Sequence, residues 1–118
     1  MAKKLKPILP SLREKKRYLT FEIISESKIK DFSGVSKAIW ASLLSFMGEH
    51  GTAKAGAWVL SDKYNPSTQR GIVKIGHRHV DSLKASLALI REIDGNDVIV
   101  RSITVSGMLN KASNHIGG

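Results

Sequence analysis

From Arg17 the chain alternates. Leu19, Phe21 and Ile23 fall on one side and Tyr18, Thr20 and Glu22 on the other, the period of a strand buried on one face. The segment "DFSGVSKAIWASLLSFMGEHG", residues 31–51, then changes to helical spacing, with Asp31 and Ser33 as capping candidates and Gly48 and Gly51 as stop signals. Its apolar arc is wide. Val35, Ile39, Leu43 and Phe46 form one stripe, and Trp40, Leu44 and Met47 form a second beside it, so nearly half of the cylinder is apolar. One sheet face needs less than that. Two readings of the second stripe stay open: it packs inside the domain, or Trp40, Leu44 and Met47 meet a partner protein.

"KAGAWVLSD", residues 54–62, reads as a strand rich in small residues, "YNPSTQ" as a hairpin loop opened by an Asn-Pro pair, and "RGIVKIGH" as the returning strand. In "HVDSLKASLALIREI" the residues Val80, Leu83, Leu87 and Ile90 share one helical face, and Asp94-Gly95 closes the predicted helix. "NDVIVRSITVSG" is β-branched and strand-like, and residues 109–116 can form one or two helical turns. The order strand, helix, strand, strand, helix, strand predicts an α+β, ferredoxin-like βαββαβ sandwich. Right-handed crossovers give it a four-stranded antiparallel sheet with two helices on one face, plus a short C-terminal helical extension. The other sheet face is left open.

The length of 118 residues suits one domain, expected over residues 17–118 behind a basic N-terminal arm, residues 1–16. Charge changes the picture most. The chain carries +9 at pH 7, and residues 1–17 hold seven Lys/Arg against one Glu, so +6 of the excess lies there and +3 in the rest. A polyanionic partner is the first expectation, with the arm as part of the contact. There is no cysteine, which excludes disulfides, thiol nucleophiles and thiolate zinc sites. No apolar run reaches membrane-spanning length, so no membrane role is expected and the cytoplasm is the default location.

Alternation along the predicted third strand places Arg70, Ile72, Lys74 and, roughly, Arg78 toward the open face, beside the hairpin residues Lys63, Asn65, Ser67 and Thr68. Cationic and hydroxyl groups so arranged can grip phosphates and 2′-hydroxyls. An RNA recognition motif would carry aromatic rings at the positions of Ile72, Lys74 and His77. Their absence points to recognition of RNA backbone and shape. His77 and His79 have an H-x-H spacing, but only His50 and His115 remain as further imidazoles, too few for a predicted metal site. No G-x-S-x-G elbow or Walker loop is present, and no independent active site is expected.

Taken together, "LREKKRYLTFEIISE" and "YNPSTQRGIVKIGHRHVDSLKASLALIREIDGNDVIVRSITVSG" resemble protein component 2 of archaeal ribonuclease P, a relative of a small subunit of eukaryotic ribonuclease P and MRP. The most specific pieces are Arg17-Tyr18, the Asn65 to Gly71 hairpin ending in Arg-Gly, and Ser106-Gly107. Many members continue with Thr-Ile and a basic residue, where this chain has Met108-Leu109-Asn110-Lys111 and lacks a hydroxyl at 108. The resemblance implies a subunit of the ribonucleoprotein that removes the 5′ leader from precursor tRNA, with hydrolysis performed by magnesium held on the catalytic RNA. It also implies a partner protein with a TIM-like barrel and a 2:2 heterotetramer. Arg17, Lys63, Asn65, Thr68, Arg70, Lys74 and Arg78, with Lys15 and Lys16 of the arm, are the expected contacts to ribonuclease P RNA. The rival expectations are a basic RNA-binding module of another ribonucleoprotein such as the ribosome, and a ligand-sensing or dimerisation domain.

Overall fold

The computed structural model describes residues 15–117; the first 14 residues of the predicted arm lie outside them. The first alternating segment forms β1, Lys16–Ser25, with Leu19, Phe21 and Ile23 buried as the pattern requires. Lys16, assigned to the arm, belongs to the sheet instead and pairs with Gly76, and Lys15 just before the strand accepts from the His77 amide through its carbonyl at 2.7 Å.

Helix α1, Phe32–Ala55, starts where Asp31 accepts a hydrogen bond from the Ser33 amide at 3.0 Å. It breaks at Gly48, whose φ of 77° is left-handed, and resumes through the predicted stop at Gly51 to end on Gly56, φ 67°. The resumed turn brings the Thr52 hydroxyl onto the Leu43 carbonyl at 3.2 Å. The predicted 54–62 strand shrinks accordingly to β2, Trp58–Val59, because the alanines before it continue the helix. Strand β3, Arg70–Gly76, returns from the Asn65 hairpin, and a 3-10 turn, His77–His79, leads to α2, Val80–Ala88. Leu83, Leu87 and Ile90 point into the core as predicted.

Asp94-Gly95 does not close this helix. Both residues have positive φ, 52° and 79°, and form the two-residue turn between β4, Glu92–Ile93, and β5, Asn96–Ser106. That turn needs left-handed backbone at both positions and follows the right-handed twist of its strands, which is why a D-G pair makes a hairpin here. The antiparallel sheet therefore has five strands rather than four, in the order β2-β3-β1-β5-β4. The four long-range positions keep the predicted split-βαβ topology. A bulge interrupts the β1–β5 register between Thr20 and Phe21.

The main core lies between the sheet and α1 and α2, built from residues such as Leu19, Phe21, Val35, Ile39, Leu43, Val73, Ile75, Leu83 and Leu87. The two apolar stripes of α1 separate differently from expectation. Trp40 and Met47 are half-buried against the core, while Leu44 and Phe46 are exposed. Phe46 lies two residues before the Gly48 break. The opposite sheet face is not fully open either: α3, Leu109–Ser113, lies across its middle. Ala112 is fully buried there with Thr20 and Ile72, and the Thr20 hydroxyl donates to the Ala112 carbonyl at 3.2 Å.

Candidate nucleic-acid interface

Strand register sorts the residues of this face into rows. Directly opposed residues in a sheet project to the same side, so each row can be read from its pairs. Trp58 opposes Lys74, Lys74 opposes Tyr18, and Tyr18 opposes Ser106. The next row, Ile72, Thr20 and Thr104, is the one α3 roofs. Beyond it stand Arg70, Glu22 and Arg101, and then the exposed apolar pair Ile24 and Ile99.

The predicted contacts are thereby split into two groups. Lys15, Lys16, Arg17, Lys74 and Arg78 gather where β1 begins and β3 ends. Lys63, Asn65, Thr68 and Arg70 gather at the hairpin, about 13–20 Å away along the strands. Arg17 falls on the helix-bearing side, opposite buried Ile75, with its guanidinium donating to the Lys16 carbonyl at 3.0 Å. Arg78 lies on the 3-10 turn rather than on the strand.

Several hairpin groups are committed within the protein. The Asn65 side chain accepts from the Ser67 amide at 2.9 Å and shapes the turn, and the Thr68 hydroxyl donates to the Ile116 carbonyl at 2.6 Å. Arg70 was expected to face the RNA, but its Nε pairs with Glu22 at 3.2 Å and its Nη1 donates to the His115 carbonyl at 2.9 Å. The C-terminal segment thus accepts three side-chain hydrogen bonds through its carbonyls, from Thr20, Thr68 and Arg70.

Arg101 escaped the sequence reading. Its Nε pairs with Glu22 at 2.8 Å, and 58% of its side chain remains exposed, against 22% for Arg70. Alternation after inward Val98 and Val100 signals that Arg101 points outward, but only the register places it beside Glu22. Burial works to raise the Glu22 carboxyl, but hydrogen bonds from Arg101 and Arg70, and their charges, outweigh it and hold the group below its ordinary range. Two guanidiniums around one carboxylate leave the row cationic.

Among the described residues no three His, Cys, Asp or Glu side chains stand together as a metal site, and no helix is long and apolar enough to cross a membrane. These features define a basic split-βαβ protein with cationic and hydroxyl groups along one sheet face and its rims. Comparison with known proteins makes the assignment narrower. Residues 17–116 match the model of the Rpp14/Pop5 family. The chain is 38% identical over 111 residues to ribonuclease P protein component 2 of Pyrococcus furiosus and 40% identical over 113 residues to that of Pyrococcus horikoshii, in each case across 94% of this chain and 90% of the relative. A chain in the cryo-EM structure of yeast ribonuclease MRP shares the fold, with a TM-score of 0.62 and 13% identity over 86% of both chains. The chain belongs to the Rpp14/Pop5 family.

Proposed function

We propose that this protein is a subunit of ribonuclease P, the ribonucleoprotein that removes the 5′ leader from precursor tRNA, and that it binds and stabilises the catalytic RNA. The observation that carries the reading is the match over nearly the whole chain to archaeal proteins named ribonuclease P protein component 2. Charge supplies the physical means: a chain of +9 whose Lys15, Lys16, Lys74 and Arg101 lie along one face and its rim neutralises phosphates that would otherwise repel as the RNA core closes. The protein is a non-catalytic subunit. Magnesium held by the RNA supplies the hydrolysis, and the side chains described here position RNA strands and add no reacting group.

The second ribonuclease P protein, with its TIM-like barrel, docks on the exposed Ile24–Ile99 pair in a 2:2 assembly. This surface is favoured over the Trp40, Leu44 and Met47 stripe because Trp40 and Met47 are already spent on the core, which leaves Leu44 a small contact.

The test is cleavage of a precursor tRNA at limiting magnesium by ribonuclease P RNA reconstituted with its other proteins, with and without this chain. Activity is expected to fall on omission. Unchanged activity at matched concentrations would make the chain an RNA binder of some other ribonucleoprotein. Lys74→Ala and Arg101→Ala are each expected to weaken RNA binding and reduce the slope of log affinity against log salt by about one.

A further inference from the structure

Strand β3 carries no aromatic residue, yet the row through Lys74 does: Trp58 and Tyr18, from the strands on either side, flank it. Trp58 is 62% exposed, although a ring of that size is ordinarily well buried. Lys16 lies on the same face, two residues before Tyr18, and its ammonium lies against Gly56, the residue that ends α1. The roofed row of Ile72 and Thr20 bounds this platform on one side.

Two aromatic residues therefore occupy strand positions two strand spacings apart, about 10 Å, with one lysine between them and a second at the margin, Trp58 also bordering the cleft of Phe32, Ser36 and Trp40 at this edge. A protein-docking core is depleted of lysine. Aromatic rings interleaved with cations suit unpaired nucleotides, whose bases stack on the rings while the ammonium groups meet the phosphates. The spacing exceeds a stacked step, so two bases held here would be splayed from each other.

We infer that Trp58 and Tyr18, with Lys74 and Lys16, form a stacking platform for an unpaired segment of RNA, the rings being supplied by β2 and β1 instead of β3. The inference rests on the proposed role as an RNA-bound subunit and specifies single-stranded RNA as the ligand of this face.

The experiment uses the full chain, a labelled single-stranded RNA of about a dozen nucleotides, and the same sequence as a perfect duplex. The single strand is expected to bind more tightly than the duplex and to quench tryptophan fluorescence. Trp58→Ala should weaken single-strand binding at least about five-fold without changing the salt slope, because no phosphate contact is lost. Trp58→Phe should retain the affinity but lose most of the quench, since a ring remains and only the half-buried Trp40 is left to report. Single-strand affinity of Trp58→Ala within two-fold of the parent would overturn the inference, as would a quench of undiminished size in Trp58→Phe, which would assign it to Trp40. Trp58→Ala that binds RNA normally but loses the protein partner would overturn it in favour of a protein-docking face. In these cases intact stimulation of precursor tRNA cleavage keeps the subunit role. A parent chain that neither binds RNA nor supports cleavage would end both readings.

Discussion

Replacing Gly71 by alanine tests why β3 begins with Arg-Gly. Gly71 opposes Phe21 across the β1–β3 ladder, and Phe21 is fully buried. A Cβ at position 71 would lie 2.7 Å from Phe21 Cζ, 3.0 Å from Cε2 and 3.2 Å from Tyr64 Cδ1. Its backbone φ is not in the left-handed region, so space rather than conformation requires glycine. Phe21 sits among core side chains that leave the ring little room to withdraw. Overpacking of this kind costs about 1–3 kcal/mol, offset by about 0.5–1 kcal/mol because alanine loses less chain entropy than glycine on folding. The net expectation is about 1–2 kcal/mol of destabilisation, at about 4–8 °C of Tm for each kcal/mol in a domain near this size. Urea denaturation would measure it, with the slope unchanged. Phe21→Leu in the same chain should recover part of the loss, with a coupling of at least about 0.5 kcal/mol. A Gly71→Ala variant as stable as the parent would refute the reasoning, and so would strict additivity of the two substitutions.

Three other substitutions probe the polar framework. Glu22→Gln should cost about 1 kcal/mol at neutral pH. Because the folded carboxyl is held below its ordinary range, the parent loses this contribution as pH falls through the folded value, so denaturation curves of parent and variant should converge in acid and stay apart above it. Thr20→Val should destabilise by about 0.5–1.5 kcal/mol, because the Ala112 carbonyl loses one donor and keeps the His115 amide at 3.1 Å, and hydrogen exchange should show faster opening of α3. The Tyr64 hydroxyl donates to the Ile29 carbonyl at 2.5 Å, and burial pushes its pKa up from 10.0 to about 12. Its stabilisation should be complete below pH 10 and lost as pH rises through about 12, whereas Tyr64→Phe should show no such alkaline loss that the parent does not share with other groups.

Much of the candidate site was legible because strand alternation is local: it placed Lys74 outward and Val73 and Ile75 inward correctly. Arg70 was legible as outward, but not as the partner of Glu22 and His115, which are 48 and 45 residues away in sequence. The aromatic platform was hidden for the same reason. Seeking rings within β3 finds none, whereas the fold brings one from each adjacent strand. Asp94-Gly95 shows the limit of local signals of another kind, since the same pair can stop a helix or turn a hairpin, and the pairing of Ile93 with Asn96 decides between them.

The sequence by itself determined the order of the four principal strands and the helices between them, the inward face of those strands and of α2, the excess of positive charge and the family. These follow from hydrophobic period, residue chemistry and composition, which act over a few residues or over the chain as a sum. Tertiary structure alone decided which outward residues become neighbours: Arg101 with Glu22, Trp58 and Tyr18 with Lys74, and α3 over Thr20 and Ile72. Register and docking are set by packing between distant segments, where a one-residue slip would reverse every side chain's face, and that free energy is carried by contacts no single stretch of sequence contains.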